Sequence, residues 1–178
     1  GILGKLEAGE LQRADKDVIT REQALKDFGV DITKFSESEY QAGSIHCFLE
    51  LHIEQGPVLD NMHLPVGIVS GISGPLWWTV KLKGMAGHTG SVPMRMRKDP
   101  MVGAAEIILA LNKIATQDPA APTVGSVASM QVFPNSRNII PEEVVFTLDL
   151  RDIDQQRRDA YEAQVKAEVK EVEMKLGR

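Results

Sequence analysis

The sequence has few of the features that mark membrane, nucleic-acid-binding or disulfide-stabilised proteins. Cys47 is the single cysteine among 178 residues, which excludes an internal disulfide bond. No apolar run approaches the length that crosses a bilayer, and the first residues lack the charged and apolar regions of a signal peptide. The net charge is -5 and the basic residues are scattered, so no basic stripe favours a nucleic acid. The composition predicts a cytoplasmic protein that binds neither membrane nor nucleic acid.

Two polar runs stand out in what remains: His-Ile-Glu-Gln-Gly-Pro at 52–57 and Gly-His-Thr-Gly-Ser-Val-Pro-Met at 87–94. Residues 47–54 alternate between apolar and polar, which predicts a strand with the histidine and the glutamate of the 52–57 run on one face. The glycine and proline end that strand and favour a short helix after it. A second apolar strand is predicted at 66–72. Ligands often bind where such strands end.

Helix signals precede and follow these runs. Thr20 and Gln23 form a predicted capping box for a helix that Gly29 closes. From residue 76 onward the pattern reads strand, helix, strand, strand, helix, which predicts an α+β ferredoxin-like sandwich without its last strand. The predicted elements are a strand at 76–82, a helix capped by Asp99, strands at 124–133 and 143–150, and a helix capped by Asp154.

The stretch Glu-Leu-His-Ile-Glu-Gln-Gly-Pro-Val-Leu at 50–59 resembles zinc-dependent amidohydrolases. That family includes N-carbamoyl-L-amino acid hydrolases, allantoate amidohydrolases and ureidoglycolate-type enzymes, relatives of aminoacylase and the dizinc carboxypeptidases. Further segments that carry the resemblance lie at 84–105, 135–141 and 146–154, and the similarity runs from about residue 20 to the end.

The resemblance implies a two-part organisation of the chain. Residues 1–72 would be the tail of a dizinc-exopeptidase-like catalytic domain. Residues 73–178 would be the ferredoxin-like βαββα lid and dimerisation domain. It also implies a homodimer in which each lid overhangs the metal site of the partner. The exposed side of the strand that carries Trp77 is a further reason to expect an interface, although Trp77 and Trp78 are otherwise interpreted as packing bulk.

The resemblance implies that His52 binds one of two zinc ions, which manganese, cobalt or nickel can replace. Imidazole is a common zinc ligand. The alternative from the residues alone is a strand histidine hydrogen-bonded in a polar pocket. Glu54 would orient the ring of that histidine, or else be a solvated carboxylate at a strand end. Cys47, on the apolar side of the same strand, is predicted to be a buried, inert thiol.

Gln55 and His88 are the predicted contacts to the reacting group of the substrate. The amide of Gln55 can donate to and accept from a ureido group. By the resemblance, His88 is catalytic and crosses the dimer to stabilise an oxyanion in the partner's site. The alternative for His88 is a histidine in a surface turn.

Asn138 and Arg151 complete the predicted substrate site. The resemblance assigns the substrate carboxylate to Arg151, whose guanidinium can bind it with two parallel hydrogen bonds, and a nearby polar contact to Asn138. The alternative for Arg151 is a local ion pair with Asp149 or Asp152.

The predicted function is metal-dependent hydrolysis of a carbamoyl or ureido carbon–nitrogen bond, with an N-carbamoyl-L-amino acid as the favoured substrate. The other metal ligands and the general base of such an enzyme have no counterpart in this sequence, so we hypothesise a fragment of a longer enzyme that is inactive alone. Two other functions stay open: a non-catalytic dimerisation or ligand-binding module, and a complete amidohydrolase with unrecognised ligands. Allantoate amidohydrolase is the alternative parent enzyme.

Overall fold

The computed structural model describes residues 6–177, in two compact units that meet in sequence at Val66 and Gly67. This division falls six residues before the domain boundary predicted at 72 and 73. Whether the first unit is part of a catalytic domain and the second a lid stays a prediction.

The first unit contains only short helices. Helix α1 spans Arg21–Asp27, and the Thr20 hydroxyl accepts the N–H of Gln23 at 3.1 Å, which confirms the predicted cap. Gly29 follows with φ of 92°, a backbone conformation that glycine adopts without strain. Helix α2 spans Val58–Asn61 and confirms the short helix predicted after the His-Ile-Glu-Gln-Gly-Pro run. Two 3-10 helices span Glu10–Gln12 and Ile32–Ser38.

The predicted strands at 47–54 and 66–72 are wrong. Both segments are irregular, and no described segment pairs with either of them. A strand needs backbone hydrogen bonds to a neighbour, and alternation of side chains cannot supply that neighbour. Their apolar side chains are exposed, with Leu51 at 96% and Ile68 at 99%. Cys47 is exposed too, so its predicted burial is also wrong.

The second unit has the predicted strand–helix–strand–strand–helix order. Strands β1, β5 and β3 form an antiparallel sheet in the order β1-β5-β3, and β2 pairs with β4 in a separate two-stranded sheet. This is the order of a ferredoxin-like sandwich with the position beside β1 left open. The elements are β1 Gly74–Lys83, β2 Gly87–His88, a 3-10 helix Met94–Met96, α3 Pro100–Ala115, β3 Val124–Phe133, β4 Ile139–Ile140, β5 Glu143–Asp152 and α4 Gln155–Gly177.

The core lies between one face of the three-stranded sheet and helices α3 and α4. The central strand β5 supplies alternate, almost fully buried side chains, among them Phe146 and Leu150. The N–H of Met101 donates to the Asp99 carboxylate at the start of α3, so this predicted cap is confirmed. None of the helices within residues 6–177 is long and apolar enough to cross a membrane.

A buried carboxylate fastens the start of α4 to the end of β5. Asp152 is 2% exposed and accepts hydrogen bonds from the Arg157 guanidinium at 2.8 and 2.6 Å. It also accepts from the Thr123 hydroxyl and from the N–H of Asp154 at 2.7 Å. Asp154 in turn accepts the N–H of Arg157 at 2.9 Å, which confirms the predicted cap of α4. One charge therefore joins β5, the segment before β3 and the first turn of α4.

The opposite face of the three-stranded sheet, which we call the open face, is covered by neither α3 nor α4 of the second unit. Strand β1 presents Trp77, Thr79 and Lys81 on it, directly beside Asp149, Thr147 and Val145 of β5. Arg151 lies at the end of this row. The sheet thus places a charged pair and a large aromatic side chain together on an accessible surface.

Candidate active site

His88 lies in the two-residue strand β2, opposite Ile139 of β4, and its side chain is exposed. The N–H of Gly90 donates to His88 Nδ1 at 3.0 Å, and the Ser91 hydroxyl oxygen lies 3.3 Å from the same nitrogen. A nitrogen that accepts a backbone N–H carries no proton, so the proton of the neutral ring is on Nε2. The turn therefore presents an imidazole N–H donor to the surroundings, as an oxyanion contact requires.

The glycines around His88 permit this close packing. A Cβ atom on Gly90 would lie 3.2 Å from His88 Cε1, and one on Gly84 would lie 2.0 Å from the carbonyl oxygen of Lys98. Arg97 braces the turn by donating to the carbonyl oxygens of Val92 at 3.0 Å and Thr89 at 2.5 Å. The loop is therefore a fixed support for the histidine ring.

Asn138 is brought next to this histidine turn. The N–H of Thr89 donates to the carbonyl oxygen of Asn138 at 3.0 Å, and the Ser136 hydroxyl donates to Asn138 Oδ1 at 3.0 Å. The amide nitrogen of the Asn138 side chain has no recorded partner among the described residues. His88 and Asn138 thus form one polar corner beyond the ends of β1 and β5.

Arg151 forms an ion pair with Asp149, one of the two partners that the sequence analysis allows. Its Nε donates to both carboxylate oxygens at 2.9 and 3.0 Å, and its Nη2 donates at 2.6 Å. The hydrogen bond from Arg151 lowers the pKa of Asp149 below its ordinary value, and the same bond raises the pKa of Arg151. Asp152, the other predicted partner, is bound to Arg157 instead.

The strand β5 separates Arg151 from the corner formed by His88 and Asn138. That corner lies past the Glu143 end of the strand, where the N–H of Gly84 bonds to the carbonyl oxygen of Glu142. The stretch from Glu143 to Arg151 is about 27 Å long at the usual rise of roughly 3.4 Å per residue. Within one subunit these groups are too far apart to contact one small substrate.

His52 and Glu54 belong to the first unit, and the structure gives each a backbone partner. His52 Nδ1 lies 2.6 Å from the carbonyl oxygen of Ile53, so Nδ1 carries the proton and the Nε2 lone pair is available. The Glu54 carboxylate accepts the N–H of Val58 at 2.9 Å and of Leu59 at 3.0 Å. Glu54 therefore caps α2, and its orienting of the His52 ring stays a prediction.

Gln55 is in the left-handed region, with φ of 56°. A glutamine there is uncommon, and such strained residues cluster at functional sites. Its contact with a substrate stays a prediction.

The described residues do not form a complete metal site by themselves. No group of three or more histidine, cysteine, aspartate or glutamate side chains that could hold a metal occurs within residues 6–177. A catalytic zinc ion usually has three protein ligands. Nε2 of His52 is available, and the role of His52 as one metal ligand stays a prediction.

Most of the chain is similar in sequence to known proteins. Residues 70–175 match the family model of the peptidase dimerisation domain. The N-carbamoyl-L-amino-acid amidohydrolase of Pseudomonas sp. (strain NS671) is 47% identical over 172 residues, which is 96% of this chain and 42% of that protein. The allantoate deiminase of Arabidopsis thaliana is 37% identical in an alignment of 178 positions that covers 89% of this chain and 34% of that protein.

Solved structures of amidases are also similar to this chain. An amidase of the hydantoinase/carbamoylase family from Burkholderia multivorans superposes with a TM-score of 0.82 at 31% identity, over 94% of this chain and 40% of that one. AtUAH, solved in complex with (S)-hydroxyglycine, gives a TM-score of 0.74 at 30% identity, over 99% of this chain and 43% of that one. The chain spans less than half the length of these relatives.

Proposed function

The chain belongs to the peptidase dimerisation domain family, with amidohydrolases among its relatives, and from that premise we propose that it is the lid-bearing part of a metal-dependent amidohydrolase. The proposed reaction is hydrolysis of a linear carbamoyl or ureido carbon–nitrogen bond. The 47% identity to an N-carbamoyl-L-amino-acid amidohydrolase favours an N-carbamoyl-L-amino acid as the substrate. Allantoate is the alternative substrate, because an allantoate deiminase is 37% identical.

His88 is the proposed catalytic group of this chain. Attack of water on the carbamoyl carbon turns the carbonyl oxygen into an oxyanion, and the Nε2–H of His88 would donate to it. The observation that carries this role is the hydrogen bond from Gly90 N–H to Nδ1, which fixes the proton on the outward nitrogen. A preorganised donor of this kind typically contributes a factor of about 10² to 10³ in kcat.

Gln55, Asn138 and Arg151 would hold the substrate. Arg151 uses Nε and one side of Nη2 for Asp149, and no partner of Nη1 is recorded among the described residues. The Nη1–Nη2 edge of the guanidinium is therefore available for two parallel hydrogen bonds to a carboxylate. The amide groups of Asn138 and Gln55 suit the ureido end of the substrate.

His52 would contribute one ligand of the metal centre, two zinc ions in the intact enzyme or manganese, cobalt or nickel in their place. When bound, such ions activate water and polarise the carbonyl group. The remaining ligands would come from outside the described residues, so we expect the isolated chain to be inactive and to retain well under one equivalent of zinc after dialysis against metal-free buffer. Two equivalents would instead support a complete enzyme with ligands that the sequence does not reveal.

The separation of Arg151 from His88 supports a site shared between two subunits of a homodimer. If Arg151 serves the site of its own subunit, His88 and Asn138 must reach the site of the partner. Two features suit a dimer through this unit. Strand β3 is an edge strand that pairs with β5 on one side and with no described strand on the other, and the neighbouring helix α3 exposes apolar side chains. These side chains are Met101, Val102 and Leu109.

Complementation between two inactive variants tests this proposal. The matching segment of the Pseudomonas relative is replaced by this chain, and the chimera is made as His88→Ala and as Arg151→Gln with different affinity tags. Each homodimer should lose at least about 100-fold in the rate of hydrolysis of N-carbamoyl-L-amino acids. The purified heterodimer should recover about half of the activity of the unsubstituted chimera, because one of its two sites has both wild-type residues.

The control is Arg95→Gln, an exposed arginine in the segment between β2 and α3, which should retain full activity in every combination. A heterodimer as inactive as its parents would place both groups in one subunit. A chimera without activity on either N-carbamoyl-L-amino acids or allantoate would refute the amidohydrolase. A stable dimer of the isolated chain together with an inactive chimera would favour the non-catalytic dimerisation module, which the matched family model also supports.

A further inference from the structure

Trp77 is the large aromatic side chain that the fold leaves on the open face. It is 69% exposed, whereas its neighbour Trp78 points to the other side of β1 and packs against the core. A lone exposed leucine needs no explanation, but an exposed indole beside charged groups is a candidate contact surface. The alternation along β1 accounts for which tryptophan points outward and leaves open what Trp77 contacts.

Trp77 is part of the Arg151 site. It lies opposite Asp149 in the sheet, and its indole N–H is among the groups that lower the pKa of the Asp149 carboxylate. The guanidinium carbon of Arg151 lies 5.8 Å from the centre of the indole ring, within the range of a cation–π contact. Asp149 therefore holds the Arg151 guanidinium beside the ring of Trp77, and the three side chains form one unit with a cationic edge and an adjacent apolar ring.

The chemistry of an N-carbamoyl amino acid matches such a unit. Its carboxylate and its side chain are attached to the same carbon atom, so a group that binds the carboxylate determines where the side chain lies. With the carboxylate on the free edge of Arg151, an apolar side chain would lie within reach of the exposed indole. Glycine derivatives have no side chain to place there, and allantoate offers only polar groups.

We propose that Trp77 is a specificity-determining residue that selects substrates with an apolar side chain next to the carboxylate, and that Asp149 is the positioning residue that holds Arg151 beside Trp77. This inference depends on the proposed binding of the substrate carboxylate by Arg151. It assigns the side-chain preference of the enzyme to the lid rather than to the metal centre.

Solution NMR of the isolated ¹⁵N-labelled chain tests the inference without turnover. The chain has two tryptophans, so it gives two indole N–H signals, and Trp77→Phe identifies that of Trp77. The probes are N-carbamoyl-L-leucine, N-carbamoylglycine and N-carbamoyl-L-leucinamide, which lacks the carboxylate. We expect N-carbamoyl-L-leucine to shift both the Trp77 indole and the Arg151 Nε–H signals and to bind roughly fivefold more tightly than the glycine compound, as partial burial of one apolar side chain predicts. The amide should shift neither signal.

Two variants separate the possible outcomes. In Trp77→Ala the preference for leucine over glycine should fall below about twofold while the glycine compound still binds, and Trp77→Phe should retain part of the preference. Equal dissociation constants for the two acids in the unsubstituted chain, or a leucine preference that persists in Trp77→Ala, would overturn the inference but leave the role of Arg151 intact. If neither acid shifts the Arg151 signal, the carboxylate site itself is refuted and the inference fails with it.

Discussion

Replacing the buried carboxylate of Asp152 should destabilise the second unit more than any replacement of an exposed acidic residue. Asp152→Asn removes the negative charge that two Arg157 nitrogens approach at 2.8 and 2.6 Å. Breaking a buried ion pair from one side usually costs about 3–5 kcal/mol, and a hydrogen bond to a charged group contributes roughly 1.5–3 kcal/mol. The Arg157 side chain is 26% exposed and can turn partly to water, so we expect a loss of about 2–3 kcal/mol in the free energy of unfolding.

The effect should depend on pH with a definite sign. The hydrogen bond from Arg157 is the largest cause that lowers the pKa of Asp152 in the folded chain, well below its ordinary value of 3.8. A carboxylate whose pKa is lowered on folding stabilises the fold above its unfolded pKa, and this contribution is lost as the pH falls toward the folded pKa. The difference between the unsubstituted chain and Asp152→Asn should therefore be complete at pH 7 and about 1 kcal/mol smaller at pH 3.

Urea unfolding measures this difference, with tryptophan fluorescence, to which the core-packed Trp78 contributes, and far-ultraviolet circular dichroism as the two signals. Asp159→Asn is the matched control, because Asp159 is a half-exposed carboxylate on the same helix that pairs with Arg158. We expect the control to change the free energy of unfolding by less than about 1 kcal/mol. Equal midpoints for the two variants at pH 7, or a difference that grows on acidification, would refute the reasoning.

Three further predictions concern helix packing, the histidine turn and the first helix. Gly103→Ala should lower the free energy of unfolding by about 1–3 kcal/mol, because the added Cβ would lie 2.6 Å from Val172 Cγ1 between α3 and α4. Gly177→Ala is the control: its Cβ would meet nothing within 4 Å, and the urea midpoint should stay unchanged. Imidazole ¹⁵N shifts of His88 at neutral pH should report the Nε2–H tautomer; a protonated Nδ1 would contradict the proposed donor. Thr20→Ala should lower the stability of α1 by about 1 kcal/mol, seen as faster amide exchange in that helix, and unchanged exchange would show that the cap contributes nothing.

The second unit is largely predictable from sequence because its elements find their partners nearby in the chain. The strand predicted at 124–133 has those bounds, and the helices capped by Asp99 and Asp154 begin where the caps indicate. Each of these elements packs an apolar face against a neighbour within the same hundred residues, so local pattern and tertiary contacts agree.

The first unit and the short strands show where the sequence is insufficient. Residues 47–54 have the alternation of a strand, but no described segment forms backbone hydrogen bonds with them, so the alternation does not produce a strand. Strands β2 and β4 are each two residues long, which is too short for periodicity to reveal. They nevertheless place Asn138 beside the turn of His88.

The sequence predicts only part of the candidate site. The sequence predicts His88 and Asn138 as site residues, and that role stays a prediction. It also offers an ion pair of Arg151 with Asp149 or Asp152, and the pair with Asp149 is confirmed. The position of Trp77 beside this ion pair is not predictable from the sequence, because it depends on the register of β1 against β5. A shift of one residue would turn the indole to the opposite face of the sheet.

The apolar side chains left in water by the irregular segments have a consequence for the life of the chain in a cell. Leu49 and Leu51 are at least 90% exposed within a few residues of each other, and Ile68 and Ile72 repeat the situation further along. Extended apolar segments without a covering surface are what holdase chaperones bind and what drives aggregation at high concentration. Expressed alone, the polypeptide should therefore be bound by chaperones. Its abundance in the cell should depend more on whether another protein surface covers these apolar segments than on the stability of its sheet.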